Sequence, residues 1–248
     1  MHGDERGMAL VLTLMTMLLM SVLGAALVLT TSADAMIATN AGAASDAFYA
    51  AEAAFERTLA ELRRAPDFTS VLTGAFASAF VDDPSAGPRT LVDRTTIDLR
   101  EIVNLANCAK RRGCADADLD ASIRDRPWGA RNPRWRLFAS GPLRGTSSAV
   151  AVESAYVVIM VADDPSESDG NPWQDGTRTT TQVNPGAGVL LVRAEAFGRR
   201  GAHRIVEATV VRRDLVARAA WEASDPAARG PAPSDFPVLQ VLAWREVR

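Results

Sequence analysis

Lysine is almost absent from this 248-residue chain: Lys110 stands alone beside 26 arginines. Histidine occurs only as His2 and His203, which leaves no imidazole pair for acid–base or metal chemistry. The two cysteines have no four-ligand zinc set around them. A GxSxG elbow, a Walker phosphate loop and an HExxH helix are all missing, so the sequence offers no enzyme and implies no cofactor. Aromatic residues make up only 6%, so aliphatic side chains and alanine must supply most of any core. A net charge of −3 gives no electrostatic reason to bind nucleic acid and excludes a disordered polyelectrolyte.

Charge is also missing locally. Residues 7–33 contain no Asp, Glu, Lys or Arg, which excludes a uniformly soluble protein. Within them, residues 8–29 read MALVLTLMTMLLMSVLGAALVL. As a helix this run spans roughly 33 Å, enough to cross a hydrocarbon core. Thr13, Thr16 and Ser21 can bond to carbonyls of the preceding turn, so they do not veto burial in lipid. The sequence has no second run of this kind, which excludes a polytopic protein and leaves one anchor with everything after Thr30 on one side.

Three readings of this run compete. A secretory signal peptide would use Ala33-Asp34-Ala35 as its cleavage site, but the run exceeds the roughly 7–15 residues of such a core and its leader MHGDERG is weakly basic. An uncleaved anchor with no further role is the second. The third rests on the residues after the run, where no proline occurs before Pro66 and alanine, the best helix former, dominates. Phe48, Ala51, Phe55, Leu59 and Leu62 recur at helical spacing, with Asp46, Glu52, Glu56 and Glu61 mainly off that stripe. One helix of about 55 residues is therefore predicted, ending near Arg64, with Gly24 and Gly42 as soft points. A helix half in lipid and half packed on a globular head is the architecture of a pilin.

Specific residues carry that resemblance further. A hydrophilic leader ending in Arg6-Gly7, followed by Met8-Ala9-Leu10, resembles a type III prepilin signal. The stretch Asn40 … Ala47-Phe48-Tyr49-Ala50-Ala51-Glu52-Ala53-Ala54 resembles the N…AxxAAEAA segment of the PilX family of type IV minor pilins, and Ala243-Trp244-Arg245-Glu246-Val247 resembles that family's ending. The resemblance implies cleavage between Gly7 and Met8 by prepilin peptidase, methylation of the new N-terminus, and a single-pass inner-membrane protein with a periplasmic head. It further implies assembly with other minor pilins and the major pilin on the inner-membrane platform, at or near the pilus tip, in support of adhesion. Most major pilins carry Glu at the fifth mature position, and here that position is Leu12. Leaving a neighbouring amine unpaired in an apolar filament core costs several kcal/mol, so such a subunit suits a place with no subunit beyond it. The large minor pseudopilin that caps a type II secretion pseudopilus is similar in this respect and remains an alternative, as does a single-anchor periplasmic binding domain.

The predicted fold class is α+β, with the long N-terminal helix packed on an antiparallel sheet. The organisation read from the sequence is a leader (1–7), a membrane or filament-core helix (8–30), the soluble half of that helix (31–65), a variable helix and loop region (66–133) and a β-sheet head (134–248). Strands are predicted at 135–140, ending at Gly141-Pro142, and at 150–161, 188–196, 204–211 and 238–244. Short helices are predicted within 67–80 and at 97–108, with loops at 84–88 and 197–201 and a Pro/Ala linker at 226–237.

Cys108 and Cys114, with five residues between them, are expected to form a small disulfide in an exported domain, contributing about 2–3 kcal/mol; two free thiols are the alternative. Asp163, Asp164, Asp169 and Asp175 cluster enough oxygens to consider Ca²⁺, although their spacing is not that of an EF-hand and a solvated turn is the favoured reading. The Gly198–Gly201 turn reads as a basic hairpin end.

Overall fold

The computed structural model describes residues 5–82, 86–91, 93–120, 134–145, 152–165, 171–176, 186–233 and 238–247. One helix, α1 (Glu5–Leu62), opens the chain. It starts three residues before the apolar run and ends two before Arg64, where Arg64 and Ala65 close a turn on Glu61 and Leu62. The chain divides into two compact units, Met1–Ala43 and Ala44–Arg248, so the division falls within α1 and later than the predicted border at residue 30.

The second unit is built on a five-stranded antiparallel sheet formed by β3 (Arg136–Gly145), β4 (Val152–Asp163), β5 (Val189–Gly198), β6 (His203–Arg212) and β7 (Leu239–Val247). The strands lie side by side in chain order. One face carries Val157, Ile159 and Val161 of β4, Val192 and Ala194 of β5, and Val206 and Ala208 of β6. Against it lie Ala50, Ala51, Ala54, Phe55, Leu59 and Leu62 of α1. These positions repeat every second residue on the strands and every three or four on the helix, so both periodicities meet in one core. Phe48, read as the first residue of the stripe, is only partly buried. Arg212 fixes the end of the helix: it is buried, and its guanidinium donates to the Ala65 carbonyl while pairing with Asp214.

The opposite face is also partly covered, which the sequence did not indicate. Tyr156, Val158, Met160 and Ala162 of β4 pack against Leu99, Ile102 and Ala106 of α3 (Leu99–Cys108). The Asp98 carboxylate caps α3 by accepting from the Arg100 and Glu101 amides at 2.8 and 3.3 Å. Asn107 clamps the helix to the start of β3, donating to the Trp135 carbonyl at 2.9 Å and accepting from its amide at 2.7 Å. A two-stranded hairpin, β1 (Pro88–Thr90) and β2 (Thr96–Asp98), precedes α3; Pro88 thus begins a strand, and Ile97 and Asp98 belong to β2. The remaining helices are α2 (Phe68–Thr73), α4 (Asp116–Asp120) and α5 (Arg213–Ala223).

Gly141-Pro142 does not end β3, as the sequence suggested, but lies inside it. A Cβ on Gly141 would lie 3.0 Å from the Phe80 ring, tighter than ordinary contact, so any side chain there needs that ring to shift. Pro142 is tolerated because β3 is an edge strand, where a missing amide costs no ladder bond on the open side. The other strands differ from expectation by one to three residues at their ends.

Leu62 is fully buried, so Leu62→Ala should cost about 2–5 kcal/mol. Glu56→Ala on the exposed side of α1 should stay within about 0.5 kcal/mol of the parent. Urea unfolding of the detergent-solubilised chain measures both.

Candidate functional site

The first unit is a helix with no buried side chain from residue 8 to residue 42. Met8, Leu12, Met20 and Leu29 are 60–70% exposed. The core helix of a soluble domain would be covered; this one is not, and it is long and apolar enough to cross a membrane. Its hydroxyls are satisfied internally. Thr13 donates to the Leu10 carbonyl at 2.8 Å, Thr16 to Thr13 at 2.9 Å and Ser21 to Met17 at 2.8 Å. Thr30, Thr31 and Ser32 bond back to the preceding turn in the same way. The surface therefore presents hydrocarbon with no unpaired hydroxyl proton, as burial in lipid or against other helices requires.

Gly7 and Met8 lie on α1 with no break in the helix between them, and Leu12 is on the same exposed segment. Cys108 and Cys114 are joined as a disulfide, with Cα atoms 6.1 Å apart, directly after α3. Of the acidic candidates, Asp163 is buried at the end of β4, and Asp169 lies outside the described residues. Asp175 is engaged elsewhere: its carboxylate accepts from the Gly188 amide at 2.6 Å and its amide donates to the Thr69 hydroxyl at 3.1 Å. Among the described residues no three His, Cys, Asp or Glu side chains gather where they could hold a metal.

The strongest ionisable cluster was not legible in the sequence. On the sheet face opposite α1, Arg193 of β5 donates from Nε to Glu195 at 2.7 Å and from Nη1 to Glu207 of β6 at 2.6 Å. Arg245 of β7 reaches the other Glu207 oxygen at 2.6 Å, and His203 meets Glu195 at 2.9 Å. The strand register sets this order, because Arg193 faces Glu207 and Glu207 faces Arg245. Glu195 is almost fully buried. Burial alone would raise its pKa, but the bonds from His203 and Arg193 outweigh that and hold it below the ordinary carboxylate range. These ion pairs bind three strands together.

Residues 6–56 match the family model described as PilX N-terminal. No curated protein and no solved structure matches the chain. The match covers most of α1, stops before the helix ends, and makes this segment similar to the N-terminal helix of PilX-type minor pilins. Among the described residues one helix, α1, is long and apolar enough to cross a membrane, which fits a membrane-anchored protein.

A carboxylate whose folded pKa is depressed contributes stability above its ordinary value of 4.5 and loses it as the pH falls through the folded value. Melting temperatures followed by circular dichroism should therefore fall below about pH 5. Glu195→Gln should melt lower at about pH 7, because Arg193 loses a charged partner, and should show a flatter acid limb than the parent.

Proposed function

We propose that this chain is a minor pilin of the type IV pilus, incorporated at or near the tip, where it helps to prime extension of the major subunit. The observation that carries the reading is one unbroken helix: its exposed, apolar, hydroxyl-satisfied first half lies in the segment matching a pilin family, and its second half forms the core of a sheet. Before assembly, Met8–Leu29 holds the subunit in the inner membrane with its head in the periplasm. After extraction the same surface packs in the filament core, so one set of side chains serves both solvents. Prepilin peptidase cuts between Gly7 and Met8, and the assembly platform, the other minor pilins and the major pilin are the partners.

Leu12 supports the terminal position. A subunit that repeats through a fibre must neutralise each buried N-terminal amine, and leucine offers no carboxylate for that purpose. Pseudopilus caps share this trait. Among the described residues between 66 and 120, however, the helices are only six, ten and five residues long, too little for the large inserted helical domain of that alternative.

Mass spectrometry of the mature chain should find an N-methylated Met8. Replacing Gly7 with phenylalanine should leave unprocessed precursor and few surface pili. Normal processing and piliation in that variant would sink the reading, as would a mature N-terminus at Met36.

A further inference from the structure

The two edges of the sheet are treated differently. Along β3 the segment before the β1–β2 hairpin covers the edge at Ser140: the Asp82 amide donates to the Ser140 carbonyl at 2.7 Å, and the Ser140 amide donates to the Phe80 carbonyl at 3.1 Å. Along β7 the described residues provide no such partner beyond β6. This strand has nine residues and contains neither proline nor, before Arg245, any charge, and residues 240–245 are all exposed. Natural edge strands are normally short, charged, proline-bearing or covered, because their free amides and carbonyls invite another strand.

Side chains beside the open edge point to the same use. Trp244 is 46% exposed and meets Phe48 of α1 edge-on at 6.0 Å, and the neighbouring Tyr49 is 65% exposed. These rings form an apolar ledge along the unpaired backbone, and aromatic residues of this kind are typical interface anchors. Leu242 is 55% exposed and stands at a bulge, where the pairing with β6 skips it.

We propose that β7 is a strand-acceptor edge: another pilus subunit lays an extended, proline-free apolar segment of its head along Leu239–Trp244, with its side chains on the Tyr49, Phe48 and Trp244 ledge. Main-chain bonds supply the affinity in this mode and the ledge supplies selectivity. The occupant is argued from continuity, since on the pilin reading α1 packs against neighbouring subunits and the Phe48–Trp244 contact makes β7 part of the same surface. Lipid does not fit, because an acyl chain offers no amides or carbonyls to pair with the edge of β7. A second copy does not fit either, because Leu12 suits a subunit without a like neighbour. The inference rests on the pilin reading.

The test uses the full chain in cells that assemble pili, with photoreactive p-benzoylphenylalanine in place of Leu242 or, as a control, of the exposed Leu105 on α3. Illumination should cross-link position 242, but not 105, to another pilin, and the joined peptide should map to that pilin's head. Val241→Lys, which adds an edge charge, and Tyr49→Ser, which leaves the backbone edge intact, should each lower the yield at least about tenfold. A cross-link to a second copy, a cross-link to lipid, or none at all from a subunit present in the pili would overturn the strand-acceptor role alone. A chain that is neither processed nor incorporated overturns the pilin reading and this inference together.

Discussion

The structure depends on the packing of one helix against one sheet. Ala47, Ala50, Ala51 and Ala54 are all buried where α1 enters the head, and none has a side chain longer than a methyl group. The larger Phe55, Leu59 and Leu62 follow them on the buried face and fill the core further along. The facing strand residues are correspondingly small or β-branched, from Val157 and Ile159 to Ala194 and Ala208. Despite only 6% aromatic residues, rings are concentrated in this core, where Phe55, Phe68 and Phe138 are buried and Phe76 stacks on Phe138. The packing also constrains α1, which must remain helical without interruption while its surroundings change from none to a packed sheet. Alanine suits both halves, with high helix propensity where nothing packs and minimal bulk where much does.

Much of this was legible in the residues. The stripe from Phe48 to Leu62 marked the buried face of α1, and the strands after residue 134 were visible as runs of Val, Ile and Leu between turn signals. Elements whose formation depends on tertiary contacts were less visible. The hairpin β1–β2 has three residues per strand, too short for a period to register. Helix α5 lacks a side-chain cap at Arg212, whose guanidinium is spent on Ala65 and Asp214. The continuation of β3 through Gly141-Pro142 follows from pairing with Val157 and Tyr156 of β4, and local turn chemistry pointed the other way.

The candidate site divides along the same line. Its apolar run and Leu12 are features of sequence order, so they could be read directly. The Arg193, Glu195, Glu207 and Arg245 lattice is a property of register, since charges far apart in sequence become opposite neighbours only once three strands are aligned. Buried ion pairs of this kind add little net stability over apolar residues of similar shape but penalise misalignment, because a slip would leave a carboxylate buried without its arginine. That favours a role in fixing the order and register of β5, β6 and β7, which carry the open edge.

An open edge is a liability in a free subunit, and the residues around β7 temper it. The bulge at Leu242 interrupts the strand's regular presentation, and Arg245 and Glu246 bring charge to its far end, held by Glu207 and by Arg204 at 3.5 Å. These devices restrict uncontrolled pairing without closing the edge, whereas β3 on the other side is bonded at Ser140 by the protein's own chain. A sheet protected on one side and only restrained on the other has a direction. For a subunit proposed to end a fibre, such asymmetry gives partners one place to add and leaves the opposite edge inert.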